Sequence, residues 1–209
     1  MRTKFFLRAL CINFAYSLVL FLSAGTIHFL QGWVFLTVNI VMASMDFLTI
    51  KNNAELISER LHPGKGAKPW DKLILVIAAL VYFLNVVIAG LDAGRFHWSP
   101  KFHWTVYAIG VALMFTGQSI FLAARNENKF FSSVIRIQEE RLHSVCDSGL
   151  YRFVRHPGYL GILILLAGVP LVTGSLWSLV TIFLSAMLLI IRTYLEDNTL
   201  KVELSGYLD

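Results

Sequence analysis

Four stretches without a charged side chain dominate this chain of 209 residues: 9–45, 73–91, 102–124 and 158–191, of 37, 19, 23 and 34 residues. An α-helix needs roughly 20 residues to cross ~30 Å of hydrocarbon, with about 17 as the lower end. The 19- and 23-residue stretches therefore make one span each. The other two are too long for one helix and fold back, the first near Gly25, His28, Gln31 and Gly32, the last near Pro170 and Gly174. This gives six membrane helices, near residues 5–24, 32–50, 73–91, 102–124, 158–173 and 176–195. The last two are short for a full crossing, which fits a tilted or partly sheltered hairpin. The expected fold class is all-α, a polytopic membrane protein ending in a helical hairpin. With 56% hydrophobic and only 15% charged residues, an ordinary water-soluble globule is excluded.

Lys and Arg test this count independently, because cytoplasmic segments retain basic residues. With the amino terminus inside, 16 of the 18 fall on the cytoplasmic side, and only Arg95 and Lys101 fall outside. Both termini are therefore expected in the cytoplasm. The net charge of +5 reads as orientation and anchoring to the bilayer, without need of a nucleic-acid partner. The basic flank of the first span resembles a signal peptide. No small-residue cleavage pattern comes after it and the next span begins almost at once, so it is read as mature structure. Cys11 lies in a span and Cys146 in a loop, which argues against a disulfide. No metal-ligand spacing, phosphate loop or nucleophile elbow occurs.

Two cytoplasmic segments remain. Lys51 to Lys72 starts as a charge-bearing helical stretch (Glu55, Glu59, Arg60), breaks at His62-Pro63-Gly64-Lys65-Gly66, and reads as an interfacial connector anchored by Trp70 and lysines. Arg125 to Pro157 holds more chemistry. Pro157 suits the first turn of the fifth span, with His156 at its threshold and Tyr159 in that turn. The free N–H groups and positive dipole of this helix end favour an anion. Alone, a histidine at a helix entrance is more often a satisfied cap or surface residue than a catalyst.

The sixth span ends in Arg192 and Glu196, four apart and so on one helix face, with Asp197 next. Charged residues bordering hydrocarbon are functional candidates. Antiparallel neighbours joined by a short turn pack side by side. The entrance of helix five and the exit of helix six then converge, and His156, Tyr159, Arg192 and Glu196 line one pocket. Asp46, Asn85 and Gln118, also within spans, read as interhelical packing.

The stretch Ser148-Gly149-Leu150-Tyr151-Arg152-Phe153-Val154-Arg155-His156-Pro157-Gly158-Tyr159-Leu160-Gly161, with Arg192, Glu196 and the closing Gly206-Tyr207, resembles the isoprenylcysteine carboxyl methyltransferase family, akin to the phospholipid N-methyltransferases. The resemblance is most specific over residues 125–209, while residues 50–72 resemble the bacterial members. It implies an integral-membrane enzyme using S-adenosyl-L-methionine and releasing S-adenosyl-L-homocysteine. It divides the chain into spans one to four (1–124) and a methyltransferase core (125–209). It implies a cytoplasmic cofactor pocket contacted by His143, Ser144, Val145, Cys146, Tyr151, His156, Pro157, Gly158, Tyr159 and Glu196, and it gives Arg192 the substrate carboxylate. No metal is implied. The partners implied are the bilayer, of a bacterial inner membrane, and a lipidic or prenylated acceptor.

This chain departs from the family in three places. Some relatives place a cofactor-contacting glutamine where this chain has Arg136, with Gln138 two residues on, so that contact is not carried over. Consecutive glutamates become Glu196-Asp197, and the sequence stops at Asp209, soon after Gly206-Tyr207. Methyl transfer from a sulfonium needs alignment in a dry pocket, and a carboxylate nucleophile is already ionised at neutral pH. An amine acceptor instead needs a base, a role open to His156 or Glu196. A nicotinamide-dependent reductase of the sterol type, which carries a similar Arg-His-Pro-x-Tyr element, and a non-enzymatic membrane scaffold are the other readings.

Overall fold

The computed structural model describes residues 1–208. Among them it has seven α-helices and no strand: α1 (Arg2–Ala24), α2 (Leu30–Ile50), α3 (Ala54–Leu61), α4 (Pro69–Ala89), α5 (Trp104–Glu127), α6 (Pro157–Thr173) and α7 (Ser178–Glu203). Five of these are long and apolar enough to cross a membrane, α4 counting with its π-helical continuation Gly90–Phe96, and α6 is a sixth apolar helix of 17 residues. The protein is thus polytopic and all-helical. Its six long helices alternate in direction. Both chain ends therefore lie at one end of the bundle, the end that carries all the basic residues except Arg95 and Lys101.

Two elements differ in extent from the hydropathy reading. α4 starts at Pro69 rather than Leu73, because Pro69 at the first helical position costs no hydrogen bond and Asp71 sits in the favourable first turn. α7 runs on to Glu203, 26 residues in all, where the apolar pattern ended near 195. Hydrophobicity marks where the lipid stops, not where the helix stops, and Leu195, Glu196, Leu200 and Lys201 are good helix formers in water.

The packing also departs from a side-by-side hairpin. α6 lies mainly on α5, and α7 lies mainly on α4, so the two arms of the hairpin splay. Small residues explain the first pairing. Gly110 and Gly117 on α5 face Gly168 and Gly161 on α6, each pair seven residues apart and so on one helix face. A Cβ on Gly161 would sit 2.6 Å from the Gly117 carbonyl oxygen, and one on Gly168 would sit 2.5 Å from that of Gly110. Close backbone approach of this kind is how helices associate where no hydrophobic driving force separates lipid from protein. Asn85 ties α4 to α7 by donating to the Ser178 carbonyl at 3.0 Å and to Thr181 Oγ1 at 2.8 Å. Asp46 on α2 pairs with the fully buried Arg125 of α5.

The segment between α2 and α4 is more than a connector. Asn53 caps α3, accepting from the Leu56 N–H at 2.9 Å, and Leu56 and Ile57 bury against Phe5 and Ile50. Glu59 and Arg60, one turn on from Leu56 and Ile57 and so on the same inward side of α3, reach the long loop after α5.

Candidate active site

A cavity of about 290 Å³ opens at the basic end, between the splayed arms of α6 and α7 and beneath the loop 128–156. His143, Ser144, Val145, Cys146, Tyr151, His156, Gly158, Tyr159, Arg192 and Glu196 all line it. Pro157 does not. It is buried at the first position of α6, where it sets the direction of His156 and Tyr159.

The floor is an ion cluster. Arg192 donates from Nε to Asp71 Oδ1 at 2.7 Å and from Nη2 to Asp71 Oδ2 at 3.4 Å and the Ser133 carbonyl at 3.3 Å. Its guanidinium carbon lies 5.3 Å from the centre of the Tyr159 ring. Asp71 is completely buried, and it also accepts the Ile135 N–H at 2.8 Å, which fastens the loop to α4. One turn beyond Arg192, Glu196 has a buried Oε2 with no hydrogen-bond partner. With one arginine and two carboxylates, this end of the cavity has an excess of negative charge.

His156 stands over Glu196, with Nδ1 3.9 Å from Glu196 Oε2, and stacks on Tyr159 with ring centres 5.6 Å apart. Its Nε2 is 3.5 Å from the Tyr207 hydroxyl, which donates to Asp197 Oδ1 at 2.8 Å. Asp197 also holds Arg155 and Lys201. The Gly206-Tyr207 element is therefore folded back against the cavity mouth by the residue that replaces the second glutamate.

The outer wall is the loop itself. Arg136 donates to Glu59 by two nitrogens, at 3.0 and 2.8 Å, and to Glu140 at 2.6 Å. Burial pushes the Glu59 carboxyl up, but Arg136 and Ser132 outweigh it and hold the carboxyl below its usual range. Gln138 is buried and donates to the Phe130 carbonyl at 2.6 Å, so it braces the loop and stays out of the cavity. His143 lies with its ring centre 4.4 Å from that of Phe130. Burial, with the nearby Arg136 and Arg141, pulls it down to about 4, so the imidazole is neutral at physiological pH. Burial pushes the Tyr151 phenol up, and its hydroxyl donates to the Ala124 carbonyl at 3.3 Å.

Asp71 and Arg60 are the residues that motif reading missed. Both fall in the segment read as a connector. The rule that singled out Arg192, a charge bordering hydrocarbon, applies equally to Asp71, two residues before an uncharged run of 19.

Residues 108–202 match the model of the isoprenylcysteine carboxyl methyltransferase (ICMT) family. A probable protein-S-isoprenylcysteine O-methyltransferase of Oryza sativa subsp. japonica is 39% identical over 69 residues, 32% of this chain and 36% of that protein. Protein-S-isoprenylcysteine O-methyltransferase A of Arabidopsis thaliana is 31% identical over 94 residues, 44% of this chain and 43% of its own. The chain thus spans less than half the length of the curated relatives it matches. No solved structure matches it. The family model leaves the bacterial likeness of residues 50–72 untested, since it matches residues 108–202. It is over residues 108–202, where α5, the loop, α6 and most of α7 build the cavity, that the chain matches the isoprenylcysteine carboxyl methyltransferase family.

Proposed function

We propose that the chain is an integral-membrane methyltransferase that moves the methyl group of S-adenosyl-L-methionine to the carboxylate of a lipidic acceptor of the prenylcysteine type. The observation that carries this reading is the unpartnered, buried Glu196 Oε2 beside the Arg192–Asp71 pair. A buried carboxylate oxygen without a donor is costly, and a cationic ligand relieves that cost. The donor set fits a sulfonium: two carboxylates against one arginine, with the aromatic faces of Tyr159 and His156 alongside.

When bound, the cofactor supplies an electrophilic methyl group on positively charged sulfur. Glu196 and the ring of Tyr159 hold the cationic end. The His143–Cys146 segment, Tyr151 and Gly158 shape the remainder of its site, and the Gly158 N–H at the start of α6 suits its carboxylate. His156 stands between Glu196 and the folded-back Tyr207 and closes the mouth against water. Arg192 keeps Nη1 free of the Asp71 contacts and orients an acceptor oxygen. An ionised carboxylate needs no base, so no residue has to move a proton. Charges are neutralised on the way to products, which a dry pocket favours. The match to the family over residues 108–202 supports the same activity. The basic end faces the cytoplasm on this reading, where a soluble cofactor and a membrane-borne acceptor meet.

Purified protein in detergent, tested for S-adenosylhomocysteine and NADPH binding and for radiolabel transfer to a farnesylcysteine mimic, checks the proposal. S-adenosylhomocysteine binding and a base-labile methyl ester are expected. NADPH binding alone would overturn it, as would a base-stable N-methyl product from an amine lipid. His156→Ala is expected to weaken S-adenosylhomocysteine binding about tenfold, and Arg192→Ala to remove most turnover with little change in that binding. Parental rates in both variants would show that the site lies elsewhere.

A further inference from the structure

Among the described residues, Arg60 is the one arginine at the cavity without an ion-pair partner. Among the described residues its guanidinium makes no hydrogen bond and no ion pair, and its Nε is buried without a partner. It lies instead against a pair of touching aromatic rings, with Cζ 5.7 Å from the centre of Phe121 and 5.9 Å from that of Phe131. Arg192, Arg136 and Arg155, which also line the cavity, are tied to Asp71, to Glu59 with Glu140, and to Asp197. The carboxylate nearest in effect to Arg60 is Asp46, which is already paired with Arg125. Arg60, Arg125 and Asp46 therefore leave one positive charge over, whereas Arg192, Asp71 and Glu196 leave one negative charge.

The place of Arg60 gives that charge a use. It lines the cavity at the basic end and also a second one of about 250 Å³ set among the spanning helices. Ala9 and Asn13 of α1, Asn39, Met42, Ala43 and the Arg125-paired Asp46 of α2, Gln118 of α5 and Leu165 of α6 wall this second space. Only Phe121 is shared by both cavities with Arg60. Ala9, Asn13 and Gln118 stay partly exposed on the outer surface of the bundle, within apolar spans that face lipid. Gln118, read from the sequence as interhelical packing, lines this cavity, and its side chain makes no hydrogen bond among the described residues. The lining of this second space mixes apolar residues with amides, and Arg60 is where it meets the first cavity.

We propose that Arg60 is the anion anchor of the acceptor. It takes the carboxylate of the acceptor where the two cavities meet, and so selects acids over neutral or cationic lipids. For the chemical step after binding, the proposal rests on the methyltransferase reading. The cavity has one pole for each reactant: the Asp71–Glu196 end suits a cation, and the Arg60 end suits an anion. Guanidinium offers a planar fork to carboxylate, and it keeps its charge when buried better than an ammonium does. Arg192, already neutralised by Asp71, orients the oxygen that reacts but brings no unbalanced charge to attract it.

The test uses the full chain in lipid nanodiscs with N-acetyl-S-farnesylcysteine, its carboxamide, and S-adenosylhomocysteine as probes. The parent protein is expected to bind the acid at least about tenfold more tightly than the amide. Arg60→Met is expected to bring that ratio within about twofold while leaving S-adenosylhomocysteine affinity within about twofold, which also shows that the variant is folded. Arg60→Lys is expected to fall between them. No acid preference in the parent, an undiminished preference in Arg60→Met, or loss of S-adenosylhomocysteine binding in both variants would overturn the proposal. An Arg60-dependent acid preference without methyl transfer upholds the anchor and refutes the methyltransferase reading. Methyl transfer with the preference intact in Arg60→Met refutes the anchor alone.

Discussion

Arg192 and Asp71 form a pair with side chains 11% and 0% exposed, and among the described residues each is the other's one ion-pair partner. Taking away one partner of such a pair strands a charge and costs on the order of 3 kcal/mol, whereas replacing both by neutral groups is often close to neutral. Asp71→Asn is therefore expected to destabilise the protein by about 3 kcal/mol in thermal unfolding and to remove most methyl transfer. Combining it with Arg192→Met is expected to restore much of the stability and none of the turnover. A double variant as unstable as the sum of the singles would mean that the pair is not coupled. The sequence named Arg192 and not Asp71 for a physical reason. Arg192 and Glu196 announce themselves by helical spacing, while Asp71 and Arg192 are 121 residues apart and meet only because α4 packs on α7. Arg60 escaped notice in the same way, since an arginine in a short polar helix carries no local mark that it turns inward.

At the scale of elements, hydropathy located all six long helices, because a bilayer imposes both their length and their composition. Their ends were less legible where helix continues into water, as α7 does from Glu196 to Glu203. Their partners were not legible at all from hydropathy, since every face of a spanning helix is apolar. The information was in the glycines: two spans each hold a pair seven residues apart, and these are α5 and α6. A side chain at Gly161 meets backbone at Gly117 and Phe121, which cannot yield as a flexible side chain does. Gly161→Leu is expected to cost about 3 kcal/mol or more, at the top of the range for overpacking, and to lower S-adenosylhomocysteine affinity because α6 carries His156 and Tyr159. Leu184→Ala on the exposed face of α7 is expected to change stability by less than about 0.5 kcal/mol. Equal unfolding temperatures for Gly161→Leu and the parent would show that α5 and α6 do not touch in the membrane.

For the molecule as a whole, charge is sorted along the bundle axis, and the site lies at the end where the charges gather. The ties that close the cavity join distant parts of the chain there: Lys68 to Glu203 at 2.6 Å, Arg141 to Glu55 at 2.7 Å, and Arg136 to Glu59 at 2.8 Å. The division at residue 124 follows the motifs, but the cavity needs Arg60 and Asp71 from before it as much as Arg192 from after it. The same sorting predicts orientation. Basic segments of short loops stay on the cytoplasmic side, so the cavity should open there and Arg95 and Lys101 should lie opposite. Replacing Cys11 and Cys146 by serine and placing single cysteines at exposed Lys65 or Lys101 gives two reporters, one for each end of the bundle. In intact cells an impermeant maleimide is expected to label Lys101→Cys directly and Lys65→Cys only after permeabilisation. The reverse pattern would put the cavity on the side away from cytoplasmic S-adenosylmethionine. The proposed activity would then lose its methyl donor even if every contact within the site were correct.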